Sequence, residues 1–299
     1  MHKDNLYVTG DIILLTKHNV RVYGNVVKEE MNNVEKKILE LYDVFEEAPK
    51  YVEISFFENE SWIHEVNSRE AKTIKQILSI EPTLFSTTHP LSSHAWFDYP
   101  SIGINMSLFL PLPQDIKIAW LERIVANTIL HNTLASYNIQ RPSLLTRLRA
   151  LDFLDKQIIE IGFKLFVSSI YEYEVSKYLV TKQPLDYQTK FFIYYLRVSP
   201  KEREGIKANE RILDIQFLTL LSRFVYLFGA MPIYTKTHDR KLLVGIESNL
   251  SLFPEYVYQD IWQILRAYLP MLTFDTQKNI DFLLPRIIWV VRKIDRYIG

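Results

Sequence analysis

Between Gln114 and Asn138 the chain reads QDIKIAWLERIVANTILHNTLASYN, and apolar residues fall on every side of a helical cylinder: Ile118, Ala119, Trp120, Leu121, Ile124, Val125, Ala126, Ile129, Leu130, Leu134 and Ala135. A helix that is apolar all round must be enclosed by the rest of its domain. Pro111 and Pro113 close the preceding segment, and Asp115 suits the first turn. Immediately before it, Ser101–Leu110 alternates as a strand, with Ile102, Ile104 and Met106 on one side and Asn105 and Ser107 on the other. The fold is therefore expected to be built around one strand–helix pair, with His131 inside.

The remaining chain has the material to enclose such a helix. Of 299 residues, 48% are hydrophobic and 23% charged, which is ordinary for a globular protein with a large core. Thirty-five basic residues balance 35 acidic ones, which argues against general nucleic-acid binding, because phosphate affinity needs excess Lys and Arg. The absence of cysteine excludes disulfides, thiolate zinc sites and cysteine nucleophiles. Eight glycines, with no G-x-G-x-x-G or G-x-x-x-x-G-K-S/T run, argue against a phosphate-cradling loop. The Ile, Tyr, Lys and Glu content without cysteine leans towards a thermophile. The opening residues MHKDNLYVTGD lack the apolar core of a signal peptide, so a cytoplasmic location is expected. Phe217–Tyr234 approaches membrane-spanning length, but Arg223 interrupts it, and Gly229 and Pro232 break its end. It reads as a buried helix of about three turns, with no transmembrane segment.

Along the chain, Asp11–Thr16 and Val20–Val27 read as a small antiparallel meander turning at Lys17-His18-Asn19. Asn33–Glu47 is an amphipathic helix with Val34, Ile38, Leu41 and Phe45 on one face. Tyr51–Phe57 is a strand with Val52, Ile54 and Phe56 on one side. Asn67–Ile80 is a helix whose Asn67 and Glu70 have capping-box spacing, its core face Ile74, Ile77 and Leu78. Pro82–Phe97 reads as turns. Leu144–Lys182 is one long helical pattern with a kink near Gly162, and Tyr187–Val198 is another helix. Lys201–Arg211 is the candidate exposed connection. Helices follow over Ile212–Phe228, Pro254–Leu269 and Thr276–Tyr297, the last kinked at Pro285, with a short strand at Leu242–Ile246.

The central helix carries the only echo of chemistry. His131-Asn132-Thr133-Leu134-Ala135 stands where a zinc peptidase carries H-E-x-x-H, in which two histidines four apart face the metal and the glutamate activates water. Here Asn132 replaces the glutamate and Ala135 the second histidine. A lone histidine on an apolar helix reads as a core residue hydrogen-bonded to a neighbour. The element order from Asn33 to Tyr178 nevertheless resembles the zincin-type metallopeptidase fold, in its gluzincin branch. The resemblance implies that Ser101–Leu110 is the edge strand beside a cleft and Gln114–Asn138 the active helix. It also implies that Glu160, or Glu172 or Glu174, stands where a third ligand would be. Two ligands do not hold a catalytic zinc, and without the glutamate the general base is missing. No bound cofactor is expected on this reading.

Other candidates are weaker. His89, His94 and His131, with Asp98, form an alternative zinc ligand set. No G-x-S-x-G elbow occurs, and Ser92-Ser93-His94 does not supply a triad. The carboxylate pairs Glu172/Glu174, Asp152/Asp155 and Glu46/Glu47 read as solvated surface. On Thr276–Tyr297, Phe282, Ile287, Val291 and Ile294 form an apolar stripe, and Arg286, Arg292, Lys293 and Arg296 form a basic rim for an acidic partner or a second copy. The expected architecture is α+β. It comprises a β meander over 1–30, a zincin-like core with a small mixed sheet over 31–200, and a helical region over 201–299. The expected function is a catalytically inactive, metallopeptidase-like scaffold acting through protein binding. The alternatives are a metal-dependent hydrolase with an atypical ligand set and a helical assembly protein.

Overall fold

A computed structural model describes residues 17–78, 82, 84–140, 154–182, 184–209 and 211–298. The protein is α+β and divides into two compact units, Met1–Ile139 and Gln140–Gly299. Both boundaries expected from sequence, near 30 and near 200, fall inside a unit.

The first unit is a four-stranded mixed sheet between helices. Its elements are β1 (Lys17–Tyr23), α1 (Lys28–Phe45), β2 (Tyr51–Phe57), α2 (Glu60–Leu78), β3 (Leu91–His94), β4 (Ser101–Asn105), α3 (Met106–Phe109), α4 (Gln114–Leu130) and α5 (Leu134–Tyr137). The strand order is β1-β2-β4-β3, with β1, β2 and β4 parallel and β3 antiparallel on the edge beside β4. The described part of the expected meander is thus a strand parallel to β2. Lys17-His18-Asn19, read as a turn, pairs with Tyr51, Val52 and Glu53. The segment Asp11–Thr16 lies outside the described residues.

The two faces of this sheet are unlike. Val20, Val52, Ile54, Phe56, Ile102 and Ile104 share one face, which receives α1 and α4. There Val34, Ile38, Leu41, Tyr42 and Phe45 of α1 are buried, as the helical spacing requires. His18 reaches Glu35 of α1 at 3.0 Å, and the Tyr42 and Thr128 hydroxyls meet at 2.7 Å between α1 and α4. Glu46, at φ 55°, ends α1 in the left-handed conformation.

The opposite face is polar and lies under α2. Helix α2 begins seven residues before the expected start, so Asn67 sits in mid-helix. Its amide donates to the Phe85 carbonyl at 2.7 Å and accepts from the Phe85 N–H at 3.2 Å, pinning the segment after the helix. Phe85 packs with Phe57, Ile63 and Val66, and a Cβ on Gly103 would lie 2.4 Å from its ring. Of the expected core face only Ile74 is buried; Ile77 is 68% exposed. Pro82–Phe97, read as turns, contains β3. Ser101–Leu110 is a strand only to Asn105 and then turns into α3. It lies inside the sheet, because β3 occupies the edge.

The second unit is helical: α6 (Lys156–Lys182), α7 (Asp186–Tyr195), α8 (Pro200–Ala208), α9 (Leu213–Thr237), α10 (Arg240–Leu250), α11 (Glu255–Gln263) and α12 (Thr276–Ile298). A π-helical turn, Ile264–Tyr268, and a 3₁₀ turn, Leu269–Met271, follow α11. The expected connection at Lys201–Arg211 is largely α8, started by Pro200 and by Ser199, whose hydroxyl accepts from the Glu202 N–H at 3.2 Å. The expected strand Leu242–Ile246 lies in α10, which Asp239 caps through the Leu242 N–H at 2.8 Å. Residues 144–153 of the expected long helix lie outside the described residues.

Helix α9 continues through Gly229 and Pro232, where the sequence suggested an end. Among the described helices it alone is long and apolar enough to cross a bilayer, yet just over half of that apolar stretch is buried within its unit, where it packs against α6. Its Arg223 forms an ion pair with Glu202 of α8 and donates to Asn249 of α10 at 3.3 Å. An internal arginine supplied with partners from two neighbouring helices fits an interior helix of a folded unit.

Candidate functional site

Helix α4 ends where the degenerate zinc motif begins. His131, at φ −121° and ψ 56°, is the first residue outside it, and its N–H bonds the Asn127 carbonyl at 2.8 Å. Asn132 and Thr133 form a break before the single turn α5, so Asn132 and Ala135 do not share a helical face with His131. Poor helix formers at 132 and 133 favour that break. The residue one turn from His131 on α4 is Asn127, and this i, i+4 pair turns towards the edge strand. His131 Nδ1 and Asn127 Oδ1 lie 2.8 Å apart, and Asn127 Nδ2 donates to Ser93 Oγ on β3 at 2.7 Å. Tyr137 of α5 donates to the Ser93 carbonyl at 3.4 Å, and the Asp98 carboxylate accepts from the Leu134 N–H at 3.3 Å. His131 is buried, as the apolar helix required, and serves as a core histidine hydrogen-bonded to a neighbour.

Within the first unit the other candidate histidines do not join it in a metal-holding group. His94 points to the α2 side of the sheet, while Ser93 faces α4. His89 bonds Ser86 Oγ through Nδ1 at 2.9 Å and meets the Trp120 ring edge-on. Among the described residues no group of three His, Asp or Glu stands in metal-holding geometry. Glu160, Glu172 and Glu174 belong to the second unit. Both oxygens of Glu174 are engaged there, by Asn279 Nδ2 at 2.6 Å and Thr276 Oγ1 at 2.9 Å.

The polar face under α2 was missed by the sequence reading. Cross-strand partners Asn19, Glu53, Ser101 and His94 form a row over all four strands, and Arg21, Ser55, Gly103 and Ser92 form the next. Arg21 meets Glu53 at 2.7 Å. Burial pushes the carboxyls of Glu53 and Glu70 above their ordinary range, and it holds His94 down to about 3. Glu70 Oε2 lies 3.7 Å from His94 Nε2, and the Phe85 ring packs against the imidazole at 4.6 Å. The signal in the sequence was the alternation of Glu53 and Ser55 with apolar residues in YVEISFF, whose polar side meets the interior.

Of the expected apolar stripe on α12, Ile287, Val291 and Ile294 are buried, joined by Leu283, Leu284 and Ile288, while Phe282 is half-buried. The basic rim divides. Arg286 folds back onto the Phe282 carbonyl and stacks over Tyr268 and Phe282 at 4.2 and 4.0 Å. Lys293 pairs with Asp260 at 2.6 Å and lies over Trp289 at 4.1 Å. Arg292 and Arg296 remain exposed beside half-exposed Trp289 and outward Tyr297.

Compared with protein-family models, characterised proteins and solved structures, the chain matches none.

Proposed function

We propose that this chain is a metallopeptidase-like scaffold without hydrolytic chemistry that acts by binding another protein, one with an acidic surface. The observation that carries this reading is the clasp between α4 and the edge strand. A zincin-type arrangement has an interior helix passing an antiparallel edge strand, with two ligands one helical turn apart facing it. What supports the reading is that α4 passes β3 with Asn127 and His131 one turn apart on the side where Asn127 meets Ser93. The Asn127 amide is taken up by Ser93 and His131. The residue after Asn127, Thr128, is buried and bonded to the Val125 carbonyl and the Tyr42 hydroxyl. A second imidazole and a water-activating carboxylate are both absent from this turn.

The binding surface is the outer side of α12. Arginine and exposed aromatic rings on one face are the composition of interface hot spots. Arg292 and Arg296 are one turn apart, and two cations on a chain of zero net charge favour an acidic partner. Poly-L-glutamate is the probe: it should bind in a salt-sensitive manner and lose affinity on R292E/R296E, while untagged protein hydrolyses no peptide. Equal affinity of parent and reversed protein would remove the surface from the reading. One zinc per chain, lost with peptide hydrolysis on His131→Ala, would replace it with a metal hydrolase. Self-association abolished by R292E/R296E, without polyglutamate binding, would make the partner a second copy of the chain.

A further inference from the structure

His94 is 1% exposed, and among the described residues neither ring nitrogen has a hydrogen-bond partner. A neutral imidazole has one N–H to give and one lone pair to fill. Glu70 Oε2, 3.7 Å from His94 Nε2, is beyond hydrogen-bond length and itself has no hydrogen-bond partner among the described residues. Glu70 comes from α2, which buries only Ile63, Val66, Glu70 and Ile74 of its 19 residues. Beyond Glu70, Ile74 is the one fully buried apolar anchor. The first half of the helix is thus held by the Phe57, Ile63, Val66 and Phe85 cluster and by Asn67 on Phe85, whereas at Glu70 its contact with the sheet is an unclosed polar one.

We propose that α2 is an acid-released latch, in which protonation of His94 frees the helix from the sheet and uncovers the polar row beneath it. The groups around His94 set the sign. From β1 comes Arg21, already paired with Glu53 of β2; Tyr51 and Tyr99 flank that pair; α2 contributes Glu70 and the exposed Arg69. An imidazolium in the closed form would have Glu70 alone for a counter-charge and Phe85 across its face. Once α2 lifts, the ring regains water and its ordinary basicity. Opening is then favoured about tenfold for each pH unit below 6.5, until the closed form itself takes the proton near pH 3. Glu53 and Glu70 act in the opposite sense. Burial raises both carboxyls, so they take up protons more readily in the closed form and favour closure as pH falls towards 4.5. The signature of the latch is therefore a difference between proteins with and without His94.

The chain has no cysteine, so Val66→Cys places a single thiol beneath α2. Its labelling by 4,4′-dithiodipyridine, normalised to the unfolded chain at each pH, measures opening. The ratio of opening in Val66→Cys to that in Val66→Cys/His94→Gln should rise about tenfold per pH unit below 6.5, reaching roughly 100-fold at pH 4.5. A ratio constant from pH 7 to pH 4.5 overturns the proposal. If either variant fails to fold, ¹⁵N-histidine spectra of the unsubstituted protein decide. His94 should keep neutral-ring shifts until the α2 amide signals are lost. Titration of His94 near pH 6.5 with α2 signals unchanged would overturn the latch.

Discussion

Gly162 and Phe217 approach so closely that a Cβ on the glycine would lie 2.3 Å from Cε1 of the ring and 2.5 Å from Cζ. The glycine is where α6 admits α9, and the helix runs through it from Lys156 to Lys182. In an exposed helix Gly162→Ala would stabilise by roughly 1 kcal/mol. Here overpacking should outweigh that gain, for a net loss of about 1–3 kcal/mol in urea unfolding. A small void beside the contact, lined by Phe163, Phe166, Phe217, Leu221 and Ile287, lets the ring give part of the way. Gly162→Ala/Phe217→Leu should recover most of the loss. A single Gly162→Ala as stable as the parent would show that the close approach is not needed.

Asn127 joins the edge strand to the end of α4. Asn127→Ala removes a donor to Ser93 and an acceptor for His131 in one step, which should cost about 1–3 kcal/mol. His131→Gln keeps a polar group in reach of Asn127 and should cost less. Chemical denaturation with an unchanged m-value checks both. If His131→Gln proves the more damaging, His131 has a role beyond this clasp.

The Arg21–Glu53 ion pair does not offset the burial of its carboxylate. Burial raises the Glu53 carboxyl even with the guanidinium 2.7 Å away. A carboxyl raised in the folded state contributes stability below the ordinary carboxyl range and loses it as pH rises through the folded value. Glu53→Gln keeps the shape and a hydrogen-bond acceptor without the charge. The variant should therefore be more stable than the parent at pH 7, with the difference vanishing below about pH 4.5. Paired denaturation curves at the two pH values test this. A less stable variant at pH 7 would show that the ion pair is net favourable.

Those three sites differ in how far the sequence announced them. The buried faces of α1, β2 and α12 and the interior character of α4 followed from periodicity alone, because each repeats apolar residues at its own spacing over two or more turns or three alternations. From sequence Gly162 reads as a kink, since one glycine does not say whether it bends its helix or admits a neighbour. Pro232, Gly229 and the charged run at Lys201–Arg211 were read as breaks, but packing against neighbours overrode local preference in α8 and α9. Within the candidate site, the burial of His131 follows from the apolar helix around it, but the helix, expected to run to Asn138, ends just before it. Asn132 and Ala135, expected on the same helix, lie beyond its end at Leu130. Glu53, Glu70 and His94 come from three distant segments, the first and last aligned by strand register and Glu70 brought in by the packing of α2. Nothing at the level of spacing joins residues 53, 70 and 94.

Glu174 and Asn279 give the last test, inside the second unit. The carboxylate is 1% exposed and accepts from Asn279 Nδ2 at 2.6 Å and from Thr276 Oγ1 at 2.9 Å. Asn279 also accepts from the Thr273 N–H at 2.9 Å and donates to the Thr273 carbonyl, so one side chain fixes both the carboxylate and the entry to α12. A buried carboxylate that loses a donor retains its desolvation cost, so Asn279→Ala should destabilise by about 2–4 kcal/mol. Asn279→Asp should be worse near neutral pH, where it sets a second carboxylate against Glu174, and should improve as the solution is acidified towards pH 4. Adding Glu174→Gln to Asn279→Asp should restore much of the loss. Thermal unfolding of the parent, Asn279→Asp, Glu174→Gln and their double variant at pH 7 and pH 5 measures this coupling. Additive losses in the double variant would show that Asn279 supports α12 without acting through Glu174.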